Sequence, residues 1–222
     1  APGEIVRVDP ATGARATFAS GGAIQHPDAI IAAPGGGFFV ADRGSQEIIR
    51  LDASGNQTVF ATSASFVVPQ GMAFDASGNL YVADQGAAAL FRITPGGALS
   101  VVSSGQLFGH PIDVAIGASG DLFVADQSAG GGIYRVDAAT GAQSRLTSGL
   151  THAIAFAADG RLIATDGQTA VYFVDPATGA TEPIAAIDAA AFEVVPGAVP
   201  EPAGLALAAL GALALRRARR RG

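Results

Sequence analysis

An all-β propeller of four-stranded blades is the fold this sequence predicts, and three observations predict it. Four segments repeat, ending in Asp42, Asp84, Asp126 and Asp166 at spacings of 42, 42 and 40 residues. Pro27, Pro69 and Pro111 repeat at 42 as well, each 15 residues ahead of its aspartate. Glycine is abundant (30 of 222 residues), charged residues make up only 14%, and no segment before the C-terminal tail sustains a helical period. A period near 40 with many short strands and tight turns is what propeller blades need.

Each unit reads as four strands. The first is an apolar run, as at 29–33 and 71–74, followed by a glycine-containing turn such as Asp75-Ala76-Ser77-Gly78-Asn79. The second is the Phe/Tyr-Val-Ala-Asp run: Phe38-Phe39-Val40-Ala41-Asp42, Leu80-Tyr81-Val82-Ala83-Asp84, Leu122-Phe123-Val124-Ala125-Asp126, and Leu162-Ile163-Ala164-Thr165-Asp166. The third is expected at 48–52, 90–94 and 133–137, and a second turn leads to a fourth strand, as at 58–62 and 99–103. The turn residues tolerate positive φ or bond their own backbone, as tight hairpins require. The units run over about 26–67, 68–109, 110–150 and 151–188. Residues 4–20 match only the third and fourth strands of a blade, and 189–195 are expected to supply a first strand to the same blade, joining the ends of the ring. The expected propeller, 1–195, has five blades, one of them deficient, or five or six full ones. The second reading is preferred, because the chain begins at Ala1 without a methionine or a visible leader.

Composition narrows the function classes. There is no cysteine, which excludes disulfides and thiolate metal sites. Lysine is absent, and five of the 13 arginines lie in the last seven residues; the other eight face 19 acids, a net charge of −11. So acidic a body repels phosphate backbones, and no nucleic-acid partner is expected.

The run Pro69-Gln70-Gly71-Met72-Ala73-Phe74-Asp75-Ala76-Ser77-Gly78-Asn79-Leu80-Tyr81-Val82-Ala83-Asp84 resembles the NHL repeat. It is also similar to the wider group of SMP-30/gluconolactonase-like and virginiamycin-lyase-like propellers. The resemblance covers about 4–187 and implies the fold. It does not imply one function, since such propellers include binding modules, lactonases and lyases.

The C-terminus has three parts: Pro200-Glu201-Pro202 within a linker at 196–202, 13 uncharged residues at 203–215, and a cluster of Arg216, Arg217, Arg219, Arg220 and Arg221. The prolines stop a sheet, and the alanine- and leucine-rich run is a good helix former. At about 1.5 Å per residue that run spans roughly 20 Å, short of the ~30 Å hydrocarbon core, although flanking arginines can snorkel. The arrangement over 198–221 resembles the PEP-CTERM sorting signal of Gram-negative bacteria. That resemblance implies export, transient inner-membrane anchoring through 203–215, processing near Pro-Glu-Pro by an exosortase-type enzyme, and a final place at the cell surface or outside the cell.

Propellers bind ligands on the face where loops enter the innermost strands. Asp28, Gln70, Ile112 and His152 hold that position here, with Asp113 one residue further on and His26 and His110 ahead of the prolines. The candidate ligand-binding residues are therefore His26, Asp28, Gln70, His110, Asp113 and His152. They form either a polar, metal-capable mouth or caps on strand ends. The four repeated aspartates are expected to be structural, ending the second strand and bonding the following loop. Arg7, Arg50, Arg92 and Arg135, which recur in third strands, are expected to pair with them. No nucleophile motif, phosphate loop or calcium loop stands out. The expected function is a non-catalytic binding or scaffold protein without a cofactor, its ligand a polysaccharide, a small molecule or a surface protein. The alternative is a metal-dependent lactonase- or lyase-like enzyme holding a divalent cation with some of Asp28, His110, Asp113 and His152.

Overall fold

The computed structural model describes residues 3–149, 151–167 and 170–186, side chains at 185 and 186 excepted. The expected strand at 189–195, the linker and the apolar run at 203–215 lie outside them. Within them every regular element is a strand. β1 (Glu4–Val8) and β2 (Arg15–Ser20) form a two-stranded ribbon. Four antiparallel four-stranded meanders follow. The first blade holds β3 (Pro27–Ala32), β4 (Phe38–Asp42), β5 (Glu47–Leu51) and β6 (Gln57–Thr62). The second holds β7 (Pro69–Phe74), β8 (Leu80–Asp84), β9 (Ala89–Ile93) and β10 (Leu99–Ser104). The third holds β11 (Pro111–Ile116), β12 (Leu122–Asp126), β13 (Gly132–Val136) and β14 (Gln143–Arg145). The fourth holds β15 (Ala153–Phe156), β16 (Leu162–Thr165), β17 (Ala170–Val174) and β18 (Thr181–Ala186).

The first strands begin at the repeated prolines, two residues earlier than the apolar pattern predicts. Proline tolerates that place because the first residue of a strand need not donate to the ladder. These strands line up side by side around the centre, β3 against β7, β7 against β11 and β11 against β15.

The core is a set of layers between blades, because each sheet is apolar on both faces and must cover both. Ile48, Leu80 and Phe91 share one layer, Leu90, Val124 and Tyr134 the next, and Ile133, Leu162 and Val174 a third. The ribbon closes a fourth layer, where Phe18 and Ala19 meet Val40, Ile49 and Leu51. Edge-to-face aromatic pairs mark these seams: Phe18–Phe38 at 5.7 Å, Phe39–Phe74 at 5.4 Å and Phe123–Phe156 at 5.4 Å. Two glutamines at the start of fourth strands add polar ties. Gln57 Oε1 accepts Ala23 N–H at 3.0 Å, and Gln143 Oε1 accepts Leu107 N–H at 2.8 Å, each bond reaching the loop that joins the preceding sheet to its own.

The repeated aspartates are structural, as expected, and fully buried at Asp42, Asp84 and Asp126. Asp84 accepts Val67 and Val68 N–H from the loop before its own blade and Ala87 N–H from the loop after it, all within 2.9 Å. Asp42 serves Gln25, His26, Gly44 and Ser45, and Asp126 serves Gly109, His110 and Ser128. One carboxylate thus ties two loops together in each of the first three blades.

The arginines do not pair with these aspartates, which corrects the sequence reading. The register sets Arg50 opposite Phe39, Arg92 opposite Tyr81 and Arg135 opposite Phe123. That is three residues, or about 10 Å, from the aspartate at the other end of the strand. Arg135 bonds Asp121 at 2.8 Å instead, Arg7 lies 4.7 Å over Phe18, and Arg50 lies 5.9 Å over Phe39.

Candidate functional site: the loop-face mouth of the central cavity

The inner strands surround a cavity of about 420 Å³, within the ~300–1,000 Å³ usual for small-molecule sites. Asp28, Gln70, Ile112, Asp113 and His152 all line it, together with Met72. A shared irregularity marks the strand entries of the first three blades, where Asp28, Gln70, Ile112 and Asp113 lie. β3, β7 and β11 each shift register between the proline and the next paired residues. Such bulges re-aim side chains at the end of a strand. No feature of the sequence announces them.

His26 and His110 fall outside the lining. Both are exposed residues of the loops that enter β3 and β11, and their backbone N–H groups bond Asp42 and Asp126. The junction they share with His152 does not bring all three histidines into the cavity lining. Among the described residues no three His, Asp or Glu side chains converge as a metal ion would need.

The sequence reading missed the residues that follow the repeated aspartates. Arg43 Nε lies 3.5 Å from Asp28 Oδ2. Gln85 Oε1 accepts from Gln70 Nε2 at 3.4 Å. Gln127 Nε2 reaches His152 Nδ1 of the next blade, because its own inner strand offers Ile112. With the amide donating, Nδ1 accepts and Nε2 carries the imidazole proton. The signal was available: Arg43, Gln85 and Gln127 are polar at the same place in three repeats.

Asp113 differs from the rest. Its Oδ1 accepts Val114 N–H at 2.9 Å and its Oδ2 accepts Ile154 N–H from β15 at 2.8 Å. Part of its surface faces the cavity while protein encloses the carboxyl. Burial pushes its pKa up from 3.8 to about 7, the two backbone bonds opposing. Asp28 is raised by burial as well, with Arg43 opposing.

A pH dependence follows for Asp113. Its folded pKa lies above its unfolded value, so the folded state holds the proton longer. Its contribution is fully present below about pH 4 and is lost as the pH rises through 7. Between pH 5 and 8 unfolding free energy is expected to fall by on the order of 2 kcal/mol through this group. Urea titrations of the wild type and Asp113→Asn across that range check it. The substitution is expected to flatten the slope, and an unchanged slope contradicts the assignment.

Comparison with known proteins identifies the two parts of the chain separately. A family described as the PEP-CTERM protein-sorting motif matches residues 198–221. The chain matches none of the curated proteins. Among solved structures it is similar to a streptogramin B lyase, with TM-score 0.68 and 16% identity, covering 81% of this chain and 61% of that one. It is similar to a chain of a nidogen/laminin complex, with TM-score 0.66 and 22% identity, covering 80% and 70%. A gluconolactonase from Xanthomonas campestris gives TM-score 0.61 and 15% identity, covering 71% and 60%. The chain spans about three fifths of the lyase and the lactonase. At these identities the likeness establishes the propeller fold.

Proposed function

We propose that this β-propeller with a C-terminal sorting signal is an exported, non-catalytic binding or scaffold protein whose ligand sits at the loop-face mouth of the central cavity. One observation carries the reading: polar pairs at equivalent places in successive blades form a rim around that mouth. Asp28–Arg43, Gln70–Gln85 and Gln127–His152 present hydrogen-bonding groups over an apolar wall that includes Met72 and Ile112. Such a mixture, few polar groups over apolar contact area, suits ligand binding.

The sorting motif supplies the route. Pro200, Glu201 and Pro202 mark the segment processed by an exosortase-type enzyme, 203–215 anchor the chain transiently in the inner membrane, and Arg216, Arg217, Arg219, Arg220 and Arg221 remain on the cytoplasmic side. In a Gram-negative host with that enzyme, intact-mass measurement of the exported product is expected to show a chain lacking 216–221. An exported product that retains them counts against this route.

The competing reading is a metal-dependent lactonase- or lyase-like enzyme on the same face. It draws on Asp113, whose pKa of about 7 suits proton transfer. The described residues do not fit a divalent ion, because no three His, Asp or Glu side chains among them converge. Native mass spectrometry of the full chain with metal analysis separates the readings. One tightly held divalent ion per chain, lost in Asp113→Asn together with turnover of a lactone, would favour the enzyme.

A further inference from the structure

We infer that the ligand held at this mouth is a neutral, hydroxyl-rich glycan, an inference that rests on the binding reading above. Each rim pair is half satisfied in the same way. Gln70 Nε2 donates to Gln85 Oε1, which leaves Gln70 Oε1 as an acceptor and Gln85 Nε2 as a donor without another partner among the described residues. Gln127 Nε2 donates to His152 Nδ1, which leaves Gln127 Oε1 and the His152 Nε2 proton. Asp28 and Arg43 meet through Oδ2 and Nε, leaving Asp28 Oδ1 and the Arg43 terminal nitrogens. Every pair therefore presents at least one acceptor and at least one donor. A hydroxyl both donates and accepts, and two neighbouring hydroxyls on a ring meet such a pair edge-on.

Charge selects among hydroxyl-bearing ligands. Two of the three pairs are uncharged when His152 is neutral, and in the third Arg43 offsets Asp28. Asp113 accepts one backbone N–H on each oxygen. A polyanion would approach an acidic body with few basic groups to receive it. A polycation would find amides where it needs carboxylates. The wall below the rim offers the C–H face of a sugar ring apolar contact at Ile30, which lines the cavity and is 43% exposed.

The test titrates the full chain, in detergent, against an array of neutral glycans, oligogalacturonates and oligolysine peptides, at about 0.05 and 0.5 M salt. The inference expects binding of at least one neutral glycan, unchanged by salt because no charge is screened. Gln70→Ala with Gln85→Ala is expected to weaken it at least tenfold, as is Gln127→Ala, while the unfolding midpoint stays near the wild type. Rim-dependent binding of only a charged ligand, lost at high salt, would overturn the glycan class and leave the binding reading standing. Neutral-glycan binding that ignores both variants would overturn the site. No binding of any probe would overturn the glycan inference, and the metal and turnover measurements above would then decide the broader reading.

Discussion

Asp84→Ala is expected to lower unfolding free energy by about 3–5 kcal/mol, enough to threaten a domain whose whole margin is about 5–15 kcal/mol. The carboxylate is fully buried and accepts the N–H groups of Val67, Val68 and Ala87. Alanine leaves three donors without a partner, and each orphaned buried group costs about 1–3 kcal/mol. The same change also releases the loop entering β7 from the loop that follows β8, so the mouth should lose order with the fold. Asp84→Asn keeps one acceptor oxygen and is expected to recover about half of the loss. Urea unfolding monitored by circular dichroism measures both. A loss under about 1 kcal/mol for the alanine variant would mean that the repeated aspartates do not hold the blades.

Gly71→Ala is expected to destabilise the chain by about 3 kcal/mol, at the upper end of what overpacking usually does. A β-carbon at Gly71 would lie 2.2 Å from Asp113 Oδ1, 2.5 Å from Asp113 Cα and 2.8 Å from the Ile112 carbonyl oxygen. Two of those atoms are backbone, so no rotamer change relieves the contact. β7 and β11 would have to part at the bulges that shape the cavity. Asp113→Ala in the same chain is therefore expected not to rescue it. Near-wild-type stability of Gly71→Ala in a thermal melt would show that the inner strands pack more loosely than described.

These two sites show what sequence can and cannot reveal. The aspartates were legible because they repeat, and repetition in every blade argued for structure over catalysis. The arginines repeat as well, yet their partners were misread, because pairing across strands depends on register and strand direction. Position in the repeat puts Asp28, Gln70 and His152 at the mouth, with Asp113 one residue further on than that position, and all four line the cavity. His26 and His110 share the neighbourhood but not the cavity, since they lie two residues ahead of Asp28 and Ile112, in the loops before β3 and β11 begin. Gly71 looked like ordinary strand sequence. Its requirement comes from Asp113, which is 42 residues away and sits on another blade.

The measurement that tests the central claim most directly is surface retention in a Gram-negative host with the processing enzyme. Full-length wild type and a Gln70→Ala, Gln85→Ala, Gln127→Ala variant would be exported side by side, and the fraction held by cells and matrix compared with the fraction in the medium. The rim account predicts equal export and processing, wild type largely retained, and the variant largely released. Equal retention of a folded, processed variant would contradict it and place the binding surface elsewhere on the propeller.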